Sequence, residues 1–356
     1  MKQVPAILRA ANNPIVTPAM VAPSRPDFRV VGVFNPGVVQ IGDETILLLR
    51  VAEAPRDVAD DEVAAPIYDA KSGCIVVHTW KRSTPGLHTN DSRVIVVGGD
   101  TFLSSISHLR IARSKDGIAF RVDATPALEA ACPLEAFGIE DARITALDHC
   151  YWINYTAVSS AGIATALAKS RDLVRFERQG VIFSPPNRDV AIFPEKIGGR
   201  YFALHRPMPE GIGRPSIWLA SSSDLRSWGD HQLVASARPQ EWDDLKIGGG
   251  AVPFRVTAKG HDGWLVVYHG VTAVPLTYSL GAMLLDATDP SRVLGRSSVP
   301  ILAPDAPYER KGFFGNVVFT CGLTVDGDKV RIYYGAADGV TCVADLSLEQ
   351  ILAGLT

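Results

Sequence analysis

The chain has 356 residues, 47% of them apolar, and 35 Lys and Arg against 38 Asp and Glu give a net charge of -3. That length accommodates two ordinary domains or one large all-β domain, and the apolar share supplies a substantial core. The near-balance of charge argues against a nucleic-acid or anionic-membrane partner, and no apolar run approaches the roughly 20 residues that span a bilayer.

Met1-Lys2-Gln3-Val4-Pro5 shows neither an apolar h-region nor a cleavage signature, so a soluble, cytoplasmic protein is expected. Cys74, Cys132, Cys150, Cys321 and Cys342 are odd in number and lack C-x-x-C spacing. They fit thiols in a reducing compartment better than a disulfide or zinc framework. Residues 1–27 carry five prolines and little periodicity, which predicts an extended arm packed over a single domain covering 1–356.

From residue 28 the chain alternates apolar and polar positions in short runs. Phe28 to Phe34, Thr45 to Val51, Cys74 to Trp80, His108 to Arg113, Cys150 to Thr156, Ile163 to Ala168 and Arg200 to Leu204 read as strands. So do Ser216 to Ala220, Gly263 to His269, Leu280 to Leu285, Val317 to Cys321, Val330 to Tyr334 and Val340 to Ala344. All are rich in β-branched and aromatic residues and are separated by Gly, Asp, Asn or Pro. Helical periodicity is confined to Ser347 to Leu355. The fold class is all-β.

An internal repeat refines this. Ala112-Arg-Ser-Lys-Asp116, Ala168-Lys-Ser-Arg-Asp172 and Ala220-Ser-Ser-Ser-Asp224 each follow a strand, placing the three aspartates 56 and 52 positions apart. Degenerate copies lie at Leu285 to Pro290 and Ala344 to Ser347. A four-strand blade has this period, so five copies predict a five-bladed β-propeller with an N-terminal arm and a short C-terminal helix. A β-sandwich would not explain the recurring turn. The Ser-x-Asp turns are structural, since both side chains cap turns locally.

In a propeller the inner strands converge on one axis, so a site should draw one polar cluster from each repeat. The clusters are Asn35-Pro36-Gly37 with Arg50; Glu140-Asp141-Ala142-Arg143; Arg188-Asp189 with His205-Arg206; Lys246 to Gly250 with His269; and Asn316 with Asp338. Strict alternation around residue 141 sends Glu140 and Ala142 to one face, Asp141 and Arg143 to the other. Charges of both signs on inner edges point to a polar ligand, because unpaired buried charge is costly. Asp141 is the first candidate for chemistry.

These stretches, with Phe193-Pro194-Glu195-Lys196-Ile197-Gly198-Gly199-Arg200-Tyr201 and the terminal Tyr333 to Asp338, resemble glycoside hydrolase family 130 in order and in all five repeats. The resemblance implies a β-mannoside phosphorylase with inorganic phosphate as co-substrate, no cofactor and no metal, and release of α-mannose 1-phosphate by inversion. It makes Asp141 the general acid, acting through a hydroxyl of the transferred mannosyl unit. It assigns Asn35, Arg50, Glu140, Arg143, Lys246 and Asp338 to the sugar, and Arg188, His205, Arg206 and His269 to phosphate.

The residue chemistry agrees, since an inverting hydrolase needs two carboxylates about 6.5 to 9.5 Å apart, whereas phosphate attacks without a base. The same-family rival is a β-mannosidase, for which Glu195 or the Glu241 to Asp244 cluster would supply the base. A non-catalytic carbohydrate-binding propeller is the other alternative. Trp80 and Trp242 are candidates for stacking on a sugar ring. Ala142 replaces a proline common in the family, and Asp189 places an extra negative charge beside the proposed phosphate site. The arm and the terminal helix are candidates for packing within or between chains, as in a homo-oligomer.

Overall fold

The computed structural model describes residues 5–258 and 260–356. Five antiparallel sheets form the blades of a propeller. Blade one runs Phe28–Ile41, Glu44–Pro55, Ile106–Ser114 and Arg121–Val122 from inside out. Blade two runs Ile139–Leu147, Cys150–Ser159, Gly162–Ser170 and Glu177–Phe183. Blade three runs Asn187–Ile192, Tyr201–Pro207, Ile217–Ser222 and Gly229–Ala235. Blade four begins with Lys246–Gly249 and Phe254–Ala258, both paired to His261–Thr272, and continues through Thr277–Asp286 to Val293–Arg296.

Blade five takes Val318–Asp326, Lys329–Ala336 and Val340–Ser347 from the end of the chain and its outermost strand, Ile7–Arg9, from the beginning. Ile7 pairs with Leu346 and Arg9 with Ala344. The proline-rich arm therefore closes the ring. An ion pair locks it: Arg9 Nε donates to Oε1 of Glu309 at 2.8 Å, and Glu309 is fully buried. That carboxylate also accepts from the Tyr334 hydroxyl at 2.7 Å and the Ala306 amide at 2.8 Å. Asn13 clasps Val343 through both side-chain amide atoms.

The repeated Ser-x-Asp segments are identical turns. In each, the serine hydroxyl contacts the aspartate, whose Oδ1 accepts two backbone amides: Ile118 and Ala119, Val174 and Arg175, Arg226 and Ser227. The residue after each aspartate, Gly117, Leu173 or Leu225, has positive φ.

Apolar faces of adjacent blades fill the space between them. Leu48, Ile111, Ile139, Ile153 and Tyr155 pack between blades one and two, while Val267, Leu284, Ile332 and Tyr334 pack between four and five. Each such side chain contributes about 1.5 to 3 kcal/mol by leaving water. Between the second and third strands of blade one the chain inserts two hairpins, Glu62–Asp69 with Cys74–Lys81 and Val94–Val97 with Asp100–Leu103. Cys74 to Trp80 is thus a strand of an appendage, not of a blade.

The stretch around Asp141 lies within the innermost strand of blade two, Ile139–Leu147. Strict alternation fails there. Pairing slips between Glu140 and Arg143, and Asp141 takes a left-handed conformation with φ 49°. The same slip occurs between Phe34 and Gly37, with Asn35 at φ 48°, and between Arg188 and Ala191, with Asp189 at φ 57°. Asn and Asp tolerate this backbone region better than other side chains, so blades one, two and three each place one at the bulge.

Candidate active site

The bulges open onto an axial cavity of about 260 Å³ to which all five blades contribute. Blade one supplies Asn35 and Arg50, blade two Glu140 and Asp141, blade three Arg188, Asp189 and Arg206. Blade four adds Lys246, His269 and Tyr278, and blade five Phe319 and Asp338. Because the inner strands bulge, the consecutive pairs Glu140-Asp141 and Arg188-Asp189 both face the cavity. An unbroken strand would have turned one member of each pair away.

Asp141 is held from three sides. Asn35 Nδ2 donates to its Oδ1 at 2.9 Å, Arg50 Nη1 approaches the same oxygen at 3.3 Å, and Arg188 Nη2 stands 3.8 Å from Oδ2. Glu140 lies between the same two arginines, 2.8 Å from Arg50 and 3.2 Å from Arg188. Burial works against the charge on both guanidiniums, but the facing carboxylates outweigh it and raise their pKa values.

Asp189 anchors the opposite side. Arg206 Nε is 2.6 Å from its Oδ2, His269 Nε2 3.6 Å, and Arg143 and Arg188 are each 3.9 Å from Oδ1. Burial opposes its ionisation, yet this surrounding positive charge, Arg206 first, holds the carboxyl well below the usual range. The Arg206 contact is an ion pair without hydrogen-bond alignment, which leaves Nε with no hydrogen-bond acceptor among the described residues.

His269 is driven the other way, to about 3, chiefly by burial and despite Asp189, so it is neutral in the physiological range. Asp338 is raised to about 6, first by burial and further by Asp141, with Arg50 opposing. Lys246 Nζ lies 5.0 Å above the Tyr278 ring, and among the described residues no carboxylate comes within ion-pair distance of it. Five cations, Arg50, Arg93, Arg188, Arg206 and Lys246, thus face four carboxylates, and the excess is positive.

Glycines make this density feasible. A Cβ on Gly248 would stand 2.4 Å from His269 Cε1 and 2.5 Å from Asp189 Oδ2, and one on Gly335 would stand 2.1 Å from Asn35 Oδ1. The glycine run after Lys246 thus serves close packing of blade four against blade three.

Two expected residues lie elsewhere. Arg143 is 1% exposed behind the cavity, donating to the carbonyls of Gly250 at 2.6 Å, Gly249 at 2.9 Å and Asp141 at 3.1 Å. It braces the Asp141 bulge against blade four. His205 precedes Arg206 on an extended strand, so when Arg206 faces the axis His205 must face away. It stacks on Phe183 at 4.7 Å between blades two and three.

The expected sugar-stacking tryptophans are also remote: Trp80 packs on Phe102 in the appendage and Trp242 on Tyr268. Glu195 does not line the cavity, and Asp243 is consumed by Arg296 at 2.5 Å, Arg238 at 3.0 Å and the Tyr268 hydroxyl at 2.9 Å.

Sequence reasoning missed the aromatic lining, Phe34, Tyr278, Phe313, Phe314 and Phe319, and it missed Arg93. Arg93 comes from the appendage, stacks 4.1 Å above Phe314, and pairs with Asp91 at 2.6 Å and more distantly with Asp338 at 3.9 Å. It has no counterpart in the repeats, so no equivalence could reveal it.

Comparison with known proteins gives this geometry a context. Residues 85–356 match the family described as beta-1,4-mannooligosaccharide phosphorylase. The chain is 45% identical over 350 residues to beta-1,2-mannobiose phosphorylase of Listeria innocua, covering 97% of each, and 40% identical over 249 residues to 1,2-beta-oligomannan phosphorylase of Thermoanaerobacter, covering 69% of this chain and 80% of that one. The Listeria innocua enzyme in complex with beta-1,2-mannobiose superposes with a TM-score of 0.93 over 98% of this chain and 99% of the other. At 22% identity and a TM-score of 0.72, over 96% of this chain and 94% of the other, a structure from the study of family members that hydrolyse beta-1,2 mannosidic linkages in Candida mannan shares the fold. The length and identity of these matches, together with the five-bladed architecture, establish that the chain belongs to glycoside hydrolase family 130.

Proposed function

We propose that this protein is a β-mannoside phosphorylase, with β-1,2-mannobiose as its first substrate, and that residues 1–356 act as one catalytic unit in the cytoplasm without a cofactor. The observation that carries the reading is Asp141 facing a cavity in which five cations, Arg188, Arg206 and Lys246 among them, outnumber four carboxylates. An anionic nucleophile suits that field, and guanidinium groups pair with phosphate oxygens in bidentate fashion. Glu195 and the Glu241 to Asp244 cluster, invoked as bases for the hydrolase alternative, do not line the cavity, which counts against that alternative. The identity to the Listeria innocua enzyme across nearly the whole chain supports the β-1,2 linkage. The family description names β-1,4-linked substrates, which form the second arm of the test.

In the proposed reaction a phosphate oxygen, steered by Arg188 and Arg206 beside neutral His269, attacks the anomeric carbon from the face opposite the leaving sugar. The C–O bond to that sugar breaks, and Asp141 supplies the proton its oxygen needs through a hydroxyl of the transferred mannosyl unit. Asn35, Arg50 and Asp338 hold that unit, and Glu140 sets the spacing of Arg50 and Arg188. The products are α-mannose 1-phosphate and mannose. Five unpaired cysteines, Cys74 among them exposed, suit a reducing compartment.

The deciding experiment incubates the enzyme with β-1,2- and β-1,4-mannobiose, with and without phosphate, and follows α-mannose 1-phosphate. Turnover is expected only with phosphate, and Asp141→Asn is expected to lower it by about 10²- to 10⁴-fold, the range for a lost general acid. Phosphate-independent release of mannose identifies a hydrolase, and full turnover by Asp141→Asn removes the acid assignment.

A further inference from the structure

A second pocket lies between the outermost strand of blade two and the face of blade three that points away from the axis. It is lined by Phe183, Asn187, His205, Trp218, Trp228 and His231, with no Asp, Glu, Lys or Arg among the described residues of its wall. Phe183 stacks on His205 at 4.7 Å and on Trp228 at 5.6 Å, making a continuous aromatic wall.

A polar chain crosses this wall. Asn187 Nδ2 lies 3.0 Å from His205 Nδ1, and His205 Nε2 lies 3.0 Å from His231 Nδ1. Burial holds His205 near a pKa of about 3, so its ring is neutral and carries one proton. With Asn187 donating to Nδ1, that proton resides on Nε2 and is donated to His231 Nδ1. His231 is exposed and then presents an Nε2–H donor outward. At the other end Asn187 is 8% exposed, and its Oδ1 is closed off from solvent with no hydrogen-bond partner among the described residues.

We infer that this pocket is a second carbohydrate-binding site, taking one pyranose ring of a manno-oligosaccharide against the Trp218 and Trp228 faces, with His231 Nε2, oriented by the Asn187–His205 chain, donating to one hydroxyl. An uncharged, aromatic wall with one oriented donor at its rim complements a neutral ring that has an apolar face and hydroxyls on its edge. It does not complement phosphate, which needs cations. The choice of mannose over other pyranoses rests on the proposed function. The presence of a neutral sugar site does not.

The test uses calorimetric titration of β-1,2-mannobiose in phosphate-free buffer into the full chain and into Trp218→Ala and His231→Ala. The parent is expected to bind two equivalents per chain and each variant one, with kcat/KM in the phosphorolysis assay within about twofold of the parent. Thermal unfolding of each variant confirms a folded sample, and His231→Ala, at an exposed position, serves if Trp218→Ala does not fold. One equivalent in the parent, unchanged by either substitution, overturns the inference. Two equivalents that both survive His231→Ala in a folded protein overturn it as well. Cellobiose in place of mannobiose separates the two readings: a second site that binds it while mannobiose is not phosphorolysed keeps the pocket and removes the proposed substrate.

Discussion

The carboxyl of Asp338 carries a stability cost that can be measured. Burial in the cavity wall disfavours its charge, Asp141 adds repulsion, and Arg50 recovers only part, so it titrates at about 6 where the free side chain titrates at 3.8. One pKa unit corresponds to about 1.4 kcal/mol, so keeping Asp338 ionised above pH 7 costs the folded state up to about 3 kcal/mol. The folded protein holds this proton more tightly than the unfolded chain does. This contribution to stability therefore falls as pH rises from about 4 to about 6 and is level above. Asp338→Asn imitates the protonated form and is expected to be more stable than the parent by about 1 to 3 kcal/mol at pH 7.5, the gap closing by pH 4. Urea unfolding of both proteins at pH 4, 5, 6 and 7.5, without sugar, reads the gap directly. The same substitution is expected to raise KM for β-1,2-mannobiose about tenfold, the loss of one charged hydrogen bond. A gap independent of pH, or a variant less stable than the parent at pH 7.5, refutes the reasoning, because Asp338 would then be stabilised as a carboxylate by Arg50 and Arg93.

Gly248→Ala puts a methyl 2.4 Å from His269 and 2.5 Å from Asp189, so KM for phosphate is expected to rise at least tenfold with KM for the mannoside nearly unchanged. Equal kinetics in the variant would show that His269 and Arg206 are free to move. Arg93→Ala removes the cation over Phe314 at the appendage side, and the expected result is a higher KM for mannobiose with phosphate KM unaltered. If only phosphate KM responds, Arg93 belongs to the anion site. Glu309→Gln breaks the Arg9 clasp, and denaturant unfolding is expected to show a loss of about 3 kcal/mol, the low end for a broken buried pair because Arg9 is 20% exposed. An unchanged midpoint would mean the arm closes the ring through its strand pairing alone.

The sequence by itself determined the fold class, the number of blades and most of the cavity. Strand alternation and the Ser-x-Asp turns are local: two side chains cap a turn wherever it occurs, so their recurrence counts the blades. Asn35, Arg50, Asp141, Arg188, Arg206, Lys246, His269 and Asp338 share one cavity because equivalent positions of equivalent blades must meet at the axis. What only the tertiary structure decided depends on contacts without a repeat to announce them. The N-terminal arm becomes the fifth blade's outer strand because a closed ring needs a partner for Val340–Ser347. Arg93 reaches the cavity from the appendage and Phe313 and Phe314 from a loop, so no equivalence marks them. His205 and Arg143 were misplaced for opposite reasons. An unbroken strand sends His205 away from the axis that Arg206 faces. A bulge at Asp141 sends Glu140 and Asp141 inward together and leaves Arg143 to brace the backbone behind them. One register slip, fixed by how blade two packs against its neighbours, thus decides which charges meet the substrate.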